Sequence, residues 1–199
     1  MAQGRLILIT GGARSGKSRL AEELAEKMVS ERGGRVVYVA TAEALDEEMA
    51  WRIALHRQRR PGDWETVEES QAVEKVIQEQ GQKNGVIVLD CLALLLSNWL
   101  HRWQMEKQNP QESESPAREL KPQEAEEALL LRMRALAEAA RESVSDVIVV
   151  TNEVGMGLVP DNPLGRIYRD LLGKFNQAVA ARADEVYLVC AGIPLRIKP

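Results

Sequence analysis

The residues from Gly11 to Ser18 have the types and spacing of a phosphate-binding loop. The run Gly-Gly-Ala-Arg-Ser-Gly-Lys-Ser fits the pattern G-x-x-x-x-G-K-[ST]. Glycines let successive backbone N–H groups point at phosphate oxygens, and a following helix adds partial positive charge at its N-terminus. In such a loop Lys17 neutralises the β- and γ-phosphates, and the Ser18 hydroxyl ligates Mg²⁺. The pattern favours nucleoside triphosphate binding over a chance glycine-rich turn.

Asp90 is a second residue that could do chemistry, because it follows the apolar run 86–89. A carboxylate at the end of such a strand is the Walker B pattern, in which it holds Mg²⁺ through water or polarises an acceptor hydroxyl. A strand-end aspartate can instead cap the next helix, but the P-loop upstream favours the metal role. Glu153 follows a later strand, and the choice between Asp90 and Glu153 as a base stays open.

His56 shares one helix face with three apolar residues spaced four, four and three apart: Leu45, Met49 and Ile53. Four arginines surround it along the chain: Arg52, Arg57, Arg59 and Arg60. Guanidinium groups hold phosphate oxygens in a fork, and their charge disfavours an imidazolium, which keeps the imidazole nucleophilic. A histidine beside solvent-facing arginines can also be purely structural, and that is our interpretation of His101, which lies in a Leu- and Trp-rich segment.

The elements that must position these residues can be predicted from hydrophobic patterns. Continuous apolar runs at 6–9, 35–40, 86–90 and 146–150 predict strands buried on both faces of a parallel sheet. Two further strands, 185–190 and 194–198, are separated by only three residues, so they must be antiparallel with the last at the sheet edge. The ends of parallel strands bind ligands, and we expect the second strand to end beside the P-loop.

Helical patterns are predicted at about 18–29, 44–59, 71–80, 91–103, 125–143 and 163–183. The fold class expected is therefore α/β, a three-layer P-loop domain spanning residues 1–199. Between about 104 and 124 the composition turns polar and includes Pro110, Pro116 and Pro122. Such a segment buries too little apolar surface to offset its ordering entropy, so we expect a polar, mobile surface excursion whose first half is a loop.

Bulk composition narrows the function classes. The 199 residues are 45% hydrophobic and 28% charged, which suits one globular α/β domain. A net charge of −4 argues against a nucleic-acid binder, and no apolar run approaches the ~20 residues of a membrane span. Cys91 and Cys190 fit no metal-binding spacing. We therefore expect a cytoplasmic protein with reduced cysteines, no nucleic-acid partner and no membrane insertion.

Two further segments carry a resemblance to a known family. Residues 52–61 place His56 among arginines ahead of Trp64 and Glu68, and residues 150–160 read Val-Thr-Asn-Glu-Val-Gly-Met-Gly-Leu-Val-Pro. Together with the P-loop and Thr41 they resemble the bifunctional adenosylcobinamide kinase / adenosylcobinamide-phosphate guanylyltransferase family of cobalamin biosynthesis. The resemblance runs from the first strand to about Asn98 and from about Asp146 to the C-terminus. The P-loop is generic, whereas the other two segments are specific.

The resemblance implies a RecA-like sheet, a homotrimer and two reactions. Members phosphorylate the aminopropanol hydroxyl of adenosylcobinamide with ATP or GTP. A histidine then takes GMP from GTP and passes it to adenosylcobinamide phosphate, which gives adenosylcobinamide-GDP. Carried over, His56 is the nucleophile, with Lys17 and Asp90 as further catalytic residues and Ser18 and Asp90 as Mg²⁺ ligands. The implied nucleotide contacts are Gly11, Gly12, Ala13, Arg14, Ser15, Gly16, Lys17, Ser18, Ala40, Thr41, Ala42, Arg57, Gln58, Arg59, Arg60, Glu68 and Asp90.

Two other functions compete with the bifunctional transferase. A monofunctional P-loop kinase for a small metabolite gives His56 no covalent role. An ATPase or switch module has no small acceptor and is expected to show partner-stimulated hydrolysis. The arginine-flanked histidine favours the transferase over both. The sequence leaves open whether both activities persist and whether the kinase step prefers ATP or GTP.

Overall fold

A computed structural model describes residues 3–44, 46–107 and 122–199. The strands are β1 (Leu6–Gly11), β2 (Arg35–Ala40), β3 (Glu65–Glu68), β4 (Gly85–Asp90), β5 (Asp146–Val150), β6 (Glu185–Cys190) and β7 (Ile193–Lys198). The helices are α1 (Lys17–Arg32), α2 (Glu47–Arg59), α3 (Val73–Gln80), α4 (Leu92–Lys107), α5 (Pro122–Glu142) and α6 (Pro163–Arg182). None of these helices combines the length and hydropathy that crossing a bilayer requires.

The seven strands form one sheet in the order β3-β2-β4-β5-β1-β6-β7. All neighbouring strands are parallel except β6 and β7, which are antiparallel and place β7 at one edge. Helix α1 packs on the sheet, while α5 contacts α3, α4 and α6, so helices cover both faces. The predicted fold class, a three-layer P-loop α/β domain with a RecA-like, mostly parallel sheet and an antiparallel C-terminal edge strand, is confirmed.

The central strands are apolar on both faces because helices cover both. Every residue of β5 is buried, and the first four residues of β1 are at most 1% exposed. Parallel strands in this position read as continuous hydrophobic runs instead of alternating ones. Parallel pairing aligns the carboxyl ends of β1, β5, β4 and β2 at one edge of the sheet. The P-loop and Asp90 both lie at that edge.

Strand β3 is an element that the apolar pattern did not predict. It is short, reads Glu-Thr-Val-Glu and lies at the edge of the sheet, where three of its four residues are exposed. An edge strand needs only one neighbour and tolerates charge, so it carries no hydrophobic run. Its pairing with β2 sets Glu68 beside Ala40, which brings Glu68 to the carboxyl edge.

The polar excursion expected at about 104–124 is shorter than the sequence indicated. Helix α4 continues to Lys107, where the i,i+4 pair between Arg102 and Glu106 supports its last turns. Helix α5 begins at Pro122, and proline is compatible with this position because the first turn of a helix needs no backbone N–H donor there. The loop expected from residue 104 is therefore wrong over 104–107. The rest of the expected excursion, at 108–121, lies outside the described residues.

Trp99 joins α4 to three other parts of the helical layer. Its side chain is fully buried, and its indole N–H donates to the carbonyl of Gln71 at 2.8 Å. The ring meets Phe175 of α6 edge to face at 6.1 Å between centroids, and the guanidinium of Arg132 in α5 lies 4.2 Å from the ring centroid. Loss of this ring would leave a cavity and would remove one of the two hydrogen bonds that the Gln71 carbonyl accepts, the other coming from Arg132 at 2.6 Å.

Replacing Trp99 with Ala is expected to lower the free energy of unfolding by about 3–5 kcal/mol, the range for large aromatic truncations in a core. Trp51 of α2 is 64% exposed and serves as the matched control, because its truncation removes the same atoms from a solvent-facing site. Its replacement with Ala should change stability by less than about 0.5 kcal/mol. Urea denaturation followed by circular dichroism measures both. A loss below ~1 kcal/mol for Trp99→Ala would contradict the central packing role.

Candidate active site

The P-loop connects β1 to α1 through backbone conformations that favour glycine. Gly16, which precedes α1, has φ 101°, and Gly11 has φ 153°. A Cβ on Gly11 would lie 2.3 Å from the carbonyl oxygen of Val189, so that position excludes any side chain. The Gly192 N–H donates to the Ser15 carbonyl at 2.9 Å and ties the loop to the β6–β7 turn. The predicted motif thus adopts a loop anchored to a neighbouring strand pair.

Lys17 lies inside this loop at the start of α1. It is 7% exposed, and its Nζ donates to the carbonyl of Gly12 at 2.6 Å. Burial lowers the pKa of Lys17, while Cys91 and Asp90 act in the opposite direction. Because burial also raises the pKa of the Cys91 thiol to about 12, Asp90 supplies the negative charge near this ammonium. The structure therefore brings Lys17 and Asp90 into one electrostatic environment.

Ser15 adds a feature that points to a ligand. Its hydroxyl oxygen is buried in the loop with no hydrogen-bond partner among the residues that the structure describes. A buried hydroxyl without a partner is destabilising, and a bound phosphate oxygen would accept its hydrogen. The remaining loop residues differ in exposure: Gly12, Ala13, Arg14 and Gly16 are exposed, whereas Ser18 is half-buried in the first turn of α1.

Asp90 ends β4 and is held by a side chain that the sequence did not single out. The hydroxyl of Tyr38 donates to Asp90 Oδ2 at 2.6 Å. Burial, and then the charge of Asp90, raise the pKa of Tyr38 far above its usual value, so the phenol stays protonated and remains a donor. The available signal was a tyrosine hydroxyl inside the apolar run of β2, two residues before the strand ends. Only the strand pairing shows which carboxylate it meets.

Thr41, an expected nucleotide contact, joins the ends of β2 and β4. It is fully buried, its hydroxyl donates to the Cys91 carbonyl at 2.8 Å, and it accepts from the Cys91 N–H at 2.9 Å. Its carbonyl accepts from the side-chain amide of Asn98 at 2.8 Å. The peptide bond between Asp90 and Cys91 is cis. The Thr41 hydroxyl is thus occupied by protein groups in this structure.

A cavity of about 140 Å³ lies at the carboxyl edge between β2 and α2. Its titratable lining residues are Tyr38, His56, Arg60, Glu68 and Asp90. Its apolar lining comes from Ala40, Ala42, Met49, Ile53 and Leu94. His56 itself is exposed, and Met49 and Ile53 of the expected stripe line this cavity, whereas Leu45 lies outside the described residues. The structure therefore places the histidine with five of the expected nucleotide contacts: Ala40, Ala42, Arg60, Glu68 and Asp90.

The arginines near His56 have different surroundings. The Arg60 guanidinium lies 3.7 Å from the ring centroid of Tyr38, and its Nε is buried without a hydrogen-bond partner in the described part of the chain. Arg57 forms an ion pair with Glu68 in which both side chains are about half exposed. Gln58 is exposed, and the side chains of Arg52 and Arg59 lie outside the described part of the chain. Arg60 is thus the described arginine that lines the cavity.

The distance between the histidine helix and the P-loop is larger than expected. The strand order sets β4 and β5 between β2 and β1, so the end of the second strand does not neighbour the P-loop. Three strand intervals correspond to about 14 Å at ~4.8 Å each. Both lie at the same edge, as predicted. Asp90 on β4 is the expected site residue that lies between the histidine helix and the P-loop. It lines the cavity, and its charge raises the pKa of Lys17.

The segment after β5 lies beside the P-loop strand. The N–H groups of Thr151 and Glu153 donate to the carbonyls of Ile9 and Gly11 at 2.9 and 3.0 Å. The Glu153 carboxylate accepts from the Gly155 N–H at 2.5 Å. Beyond it, large apolar side chains are exposed to solvent: Met156, Leu158 and Val159. The second resembling segment therefore lies at the same sheet edge as the P-loop.

A family model described as cobinamide kinase / cobinamide phosphate guanyltransferase matches residues 7–197. The chain belongs to this family. It is 42% identical to the bifunctional adenosylcobalamin biosynthesis protein CobU of Escherichia coli (strain K12), over 97% of this chain and 99% of that protein. Identity is 39% to CobU of Salmonella typhimurium, with the same coverage, and 39% to CobP of Pseudomonas aeruginosa, with 96% of each covered. The family, the enzyme class and the role in cobalamin biosynthesis predicted from the sequence are confirmed.

Lys17→Ala is expected to reduce nucleotide-dependent phosphoryl transfer at least 100-fold, because direct charge stabilisation of transferring phosphates is typically worth ~3 kcal/mol or more. Lys27 lies on the same helix with a 69% exposed side chain, so Lys27→Ala is the matched control and should stay within about twofold of the parent. Steady-state rates of both transfer reactions measure the effect. Full guanylyltransfer with an inactive kinase would show that the two reactions use separate nucleotide sites.

Proposed function

We propose that this family member carries out both reactions, and that it does so through a covalent GMP adduct on His56. In the first reaction the aminopropanol hydroxyl of adenosylcobinamide takes the γ-phosphoryl group of ATP or GTP. In the second, GMP from GTP is joined to adenosylcobinamide phosphate. The observation that carries the proposal is the shared cavity. His56 lines it together with Arg60, Glu68 and Asp90, and the charge of Asp90 also raises the pKa of Lys17.

The kinase step draws on the P-loop. Its backbone N–H groups and the Lys17 ammonium bind the β- and γ-phosphates, and the partnerless Ser15 hydroxyl donates to a phosphate oxygen. The acceptor hydroxyl attacks the γ-phosphorus, and the bond to the β–γ bridging oxygen breaks. The hydroxyl proton passes to Asp90 or Glu153, the two candidate bases that follow from the sequence. Lys17 carries the positive charge that the departing diphosphate requires.

Ser18 and Asp90 have the oxygen donors that suit Mg²⁺, which is bound in proteins mainly through carboxylates, waters and substrate phosphates. Ser18 follows Lys17 in the first turn of α1. Asp90 accepts the Tyr38 hydrogen bond on Oδ2, and its Oδ1 accepts no hydrogen bond from the residues that the structure describes. When bound there, Mg²⁺ would neutralise charge on the phosphate oxygens.

The guanylyl step draws on the cavity. A ring nitrogen of His56 attacks the α-phosphorus of GTP, a P–N bond forms, and the bond to the β-phosphate breaks with release of pyrophosphate. A phosphate oxygen of adenosylcobinamide phosphate then displaces the histidine. The covalent adduct divides one difficult displacement into two easier ones. Arg60, whose buried Nε has no partner, is placed to neutralise the transferring phosphoryl oxygens.

His56→Ala is expected to abolish guanylyl transfer and to remove all covalent label after incubation with GTP labelled at the α-phosphate. Phosphoryl transfer should persist, because the γ-phosphoryl reaction uses the P-loop and no covalent histidine. In the parent protein the label should disappear in acid and survive alkali, as a phosphorus–nitrogen bond does. Label retained on the denatured chain is the measurement.

His101→Ala provides the matched control, because His101 is also exposed on a helix but lies on α4, outside the cavity. Its labelling and both of its activities should stay within about twofold of the parent. Wild-type labelling of the His56 variant would rule out the covalent mechanism. A parent protein that never labels yet phosphorylates its acceptor would instead support a monofunctional kinase.

We further propose a homotrimer in the cytoplasm. Support for association comes from the edge strand β7, where alternate residues on one face are large, apolar and exposed: Ile193, Leu195 and Ile197. Exposed apolar patches of this kind mark protein contact surfaces. Gly192, in the turn before β7, donates a hydrogen bond to the Ser15 carbonyl of the P-loop. A neighbouring chain on this face would therefore lie close to the phosphate site. Free Cys91 and Cys190 fit a reducing compartment.

The trimer has its own test. Sedimentation equilibrium of the parent protein should give three times the 22.2 kDa mass of one chain. Leu195→Glu places a charge in the centre of the apolar face and should shift the protein to monomers. Leu131, an exposed apolar residue on α5, provides the control, and Leu131→Glu should leave the trimer intact. A parent protein that sediments as a monomer at micromolar concentration would refute the proposal.

A further inference from the structure

We propose that Tyr38 is a positioning residue for Asp90: its hydroxyl fixes one carboxylate oxygen and leaves the other available to a magnesium–nucleotide complex at the P-loop. The inference rests on the proposed role of Asp90 as a Mg²⁺ ligand. It concerns a residue on β2 to which neither the P-loop motif nor the arginine-flanked histidine assigns any role.

The geometry fixes Asp90 at two points. Tyr38 is 2% exposed, and its hydroxyl donates to Asp90 Oδ2 at 2.6 Å. Strand pairing sets Ala40 opposite Asp90, so the phenol reaches the carboxylate along the sheet from two residues earlier on β2. The Thr41 N–H donates to the Asp90 backbone carbonyl at 3.2 Å. The backbone and one side-chain oxygen of Asp90 are therefore both held by β2 and the residue after it.

The phenol is itself held by packing on its ring. The Arg60 guanidinium lies 3.7 Å from the ring centroid, and the Trp64 ring lies at 6.3 Å between centroids. These contacts restrict ring rotation, so the hydroxyl stays at one position relative to Asp90. The ring also places Arg60 at the cavity that contains His56. The buried Tyr38 side chain thus contacts Asp90 through its hydroxyl and Arg60 through the face of its ring.

A phenol suits this role better than a cation would. A lysine or arginine bonded to Asp90 would neutralise its charge and compete with a metal ion for it. A tyrosine hydroxyl orients the carboxylate and leaves its negative charge intact. Partners that orient a metal ligand in this way typically change metal affinity or activity by 10–100-fold when they are removed. The expected effect of losing the hydroxyl is therefore on the Mg²⁺ requirement, with little effect on nucleotide binding without metal.

Tyr38→Phe tests this, because it removes the hydroxyl and keeps the ring that packs against Arg60 and Trp64. Calorimetry with a non-hydrolysable nucleoside triphosphate would measure affinity as Mg²⁺ is varied. We expect Tyr38→Phe to need about 10-fold more Mg²⁺ for half of the metal-dependent gain in affinity. In EDTA its nucleotide affinity should lie within about twofold of the parent. Unchanged Mg²⁺ dependence, even with a lowered melting temperature, would overturn the proposal and leave a purely structural role.

Tyr187 supplies a matched control, because its hydroxyl also donates to a carboxylate, Glu185 Oε2, at 2.7 Å. That pair lies on β6, and Glu185 begins the strand, away from the phosphate-binding edge. Tyr187→Phe should leave both the affinity in EDTA and the Mg²⁺ titration unchanged. A similar shift in both tyrosine variants would show a general effect of hydroxyl loss and would overturn the specific role of Tyr38.

Asp90→Asn separates failure of this inference from failure of the proposed function. If Tyr38 acts through Asp90, adding Tyr38→Phe to the Asp90→Asn protein should change its Mg²⁺ requirement less than about twofold. An undiminished tenfold shift in that background would show that Tyr38 acts elsewhere. If Asp90→Asn alone leaves the Mg²⁺ titration unchanged, the metal role of Asp90 is wrong and the inference fails with it. The kinase and labelling assays then test the rest of the proposed function separately.

Discussion

Backbone hydrogen bonding within the buried parallel sheet is the constraint on which the rest of this structure depends. A strand covered by helices on both faces has no water to satisfy its N–H and C=O groups, so β1, β5, β4 and β2 must pair with one another along their lengths. Parallel pairing then brings their carboxyl ends to one edge. The P-loop and the histidine helix follow the ends of β1 and β2, and Asp90 is the last residue of β4, so strand pairing sets the relative positions of all three.

Two further constraints set the phosphate-binding edge. The first is steric, because the backbone at Gly11 passes too close to the Val189 carbonyl for any side chain. The second is electrostatic, because Lys17 is buried in a loop of backbone dipoles with Asp90 as the nearby negative charge. Ser15 retains a hydroxyl without a partner in the same loop. Backbone shape, one cation and one partnerless donor together form a site that a polyphosphate would complete.

The cavity beside β2 has a less rigid lining. The Arg57–Glu68 pair is about half exposed, and pairs of this kind are worth no more than ~1 kcal/mol, so breaking it costs little. Arg60 differs because it is stacked on a buried ring and keeps a free Nε–H. The two arginines therefore suit different functions. Arg60 is held in place by its contact with the Tyr38 ring, whereas Arg57 is held only by a half-exposed ion pair.

The sequence by itself determined the features that depend on contiguous residues. Eight consecutive residues specify the P-loop, and the local hydrophobic patterns predict six of the seven strands with no further information. The residues around His56 and after Val150 indicated the family. The tertiary structure decided what depends on distant pairing: β3 at the edge, two strands between the P-loop and β2, and the burial of the Thr41 hydroxyl. It also decided that Tyr38 meets Asp90, 52 positions away along the chain. Strand order follows from which hydrophobic faces can be buried together, and that is a property of the whole chain that no local pattern contains.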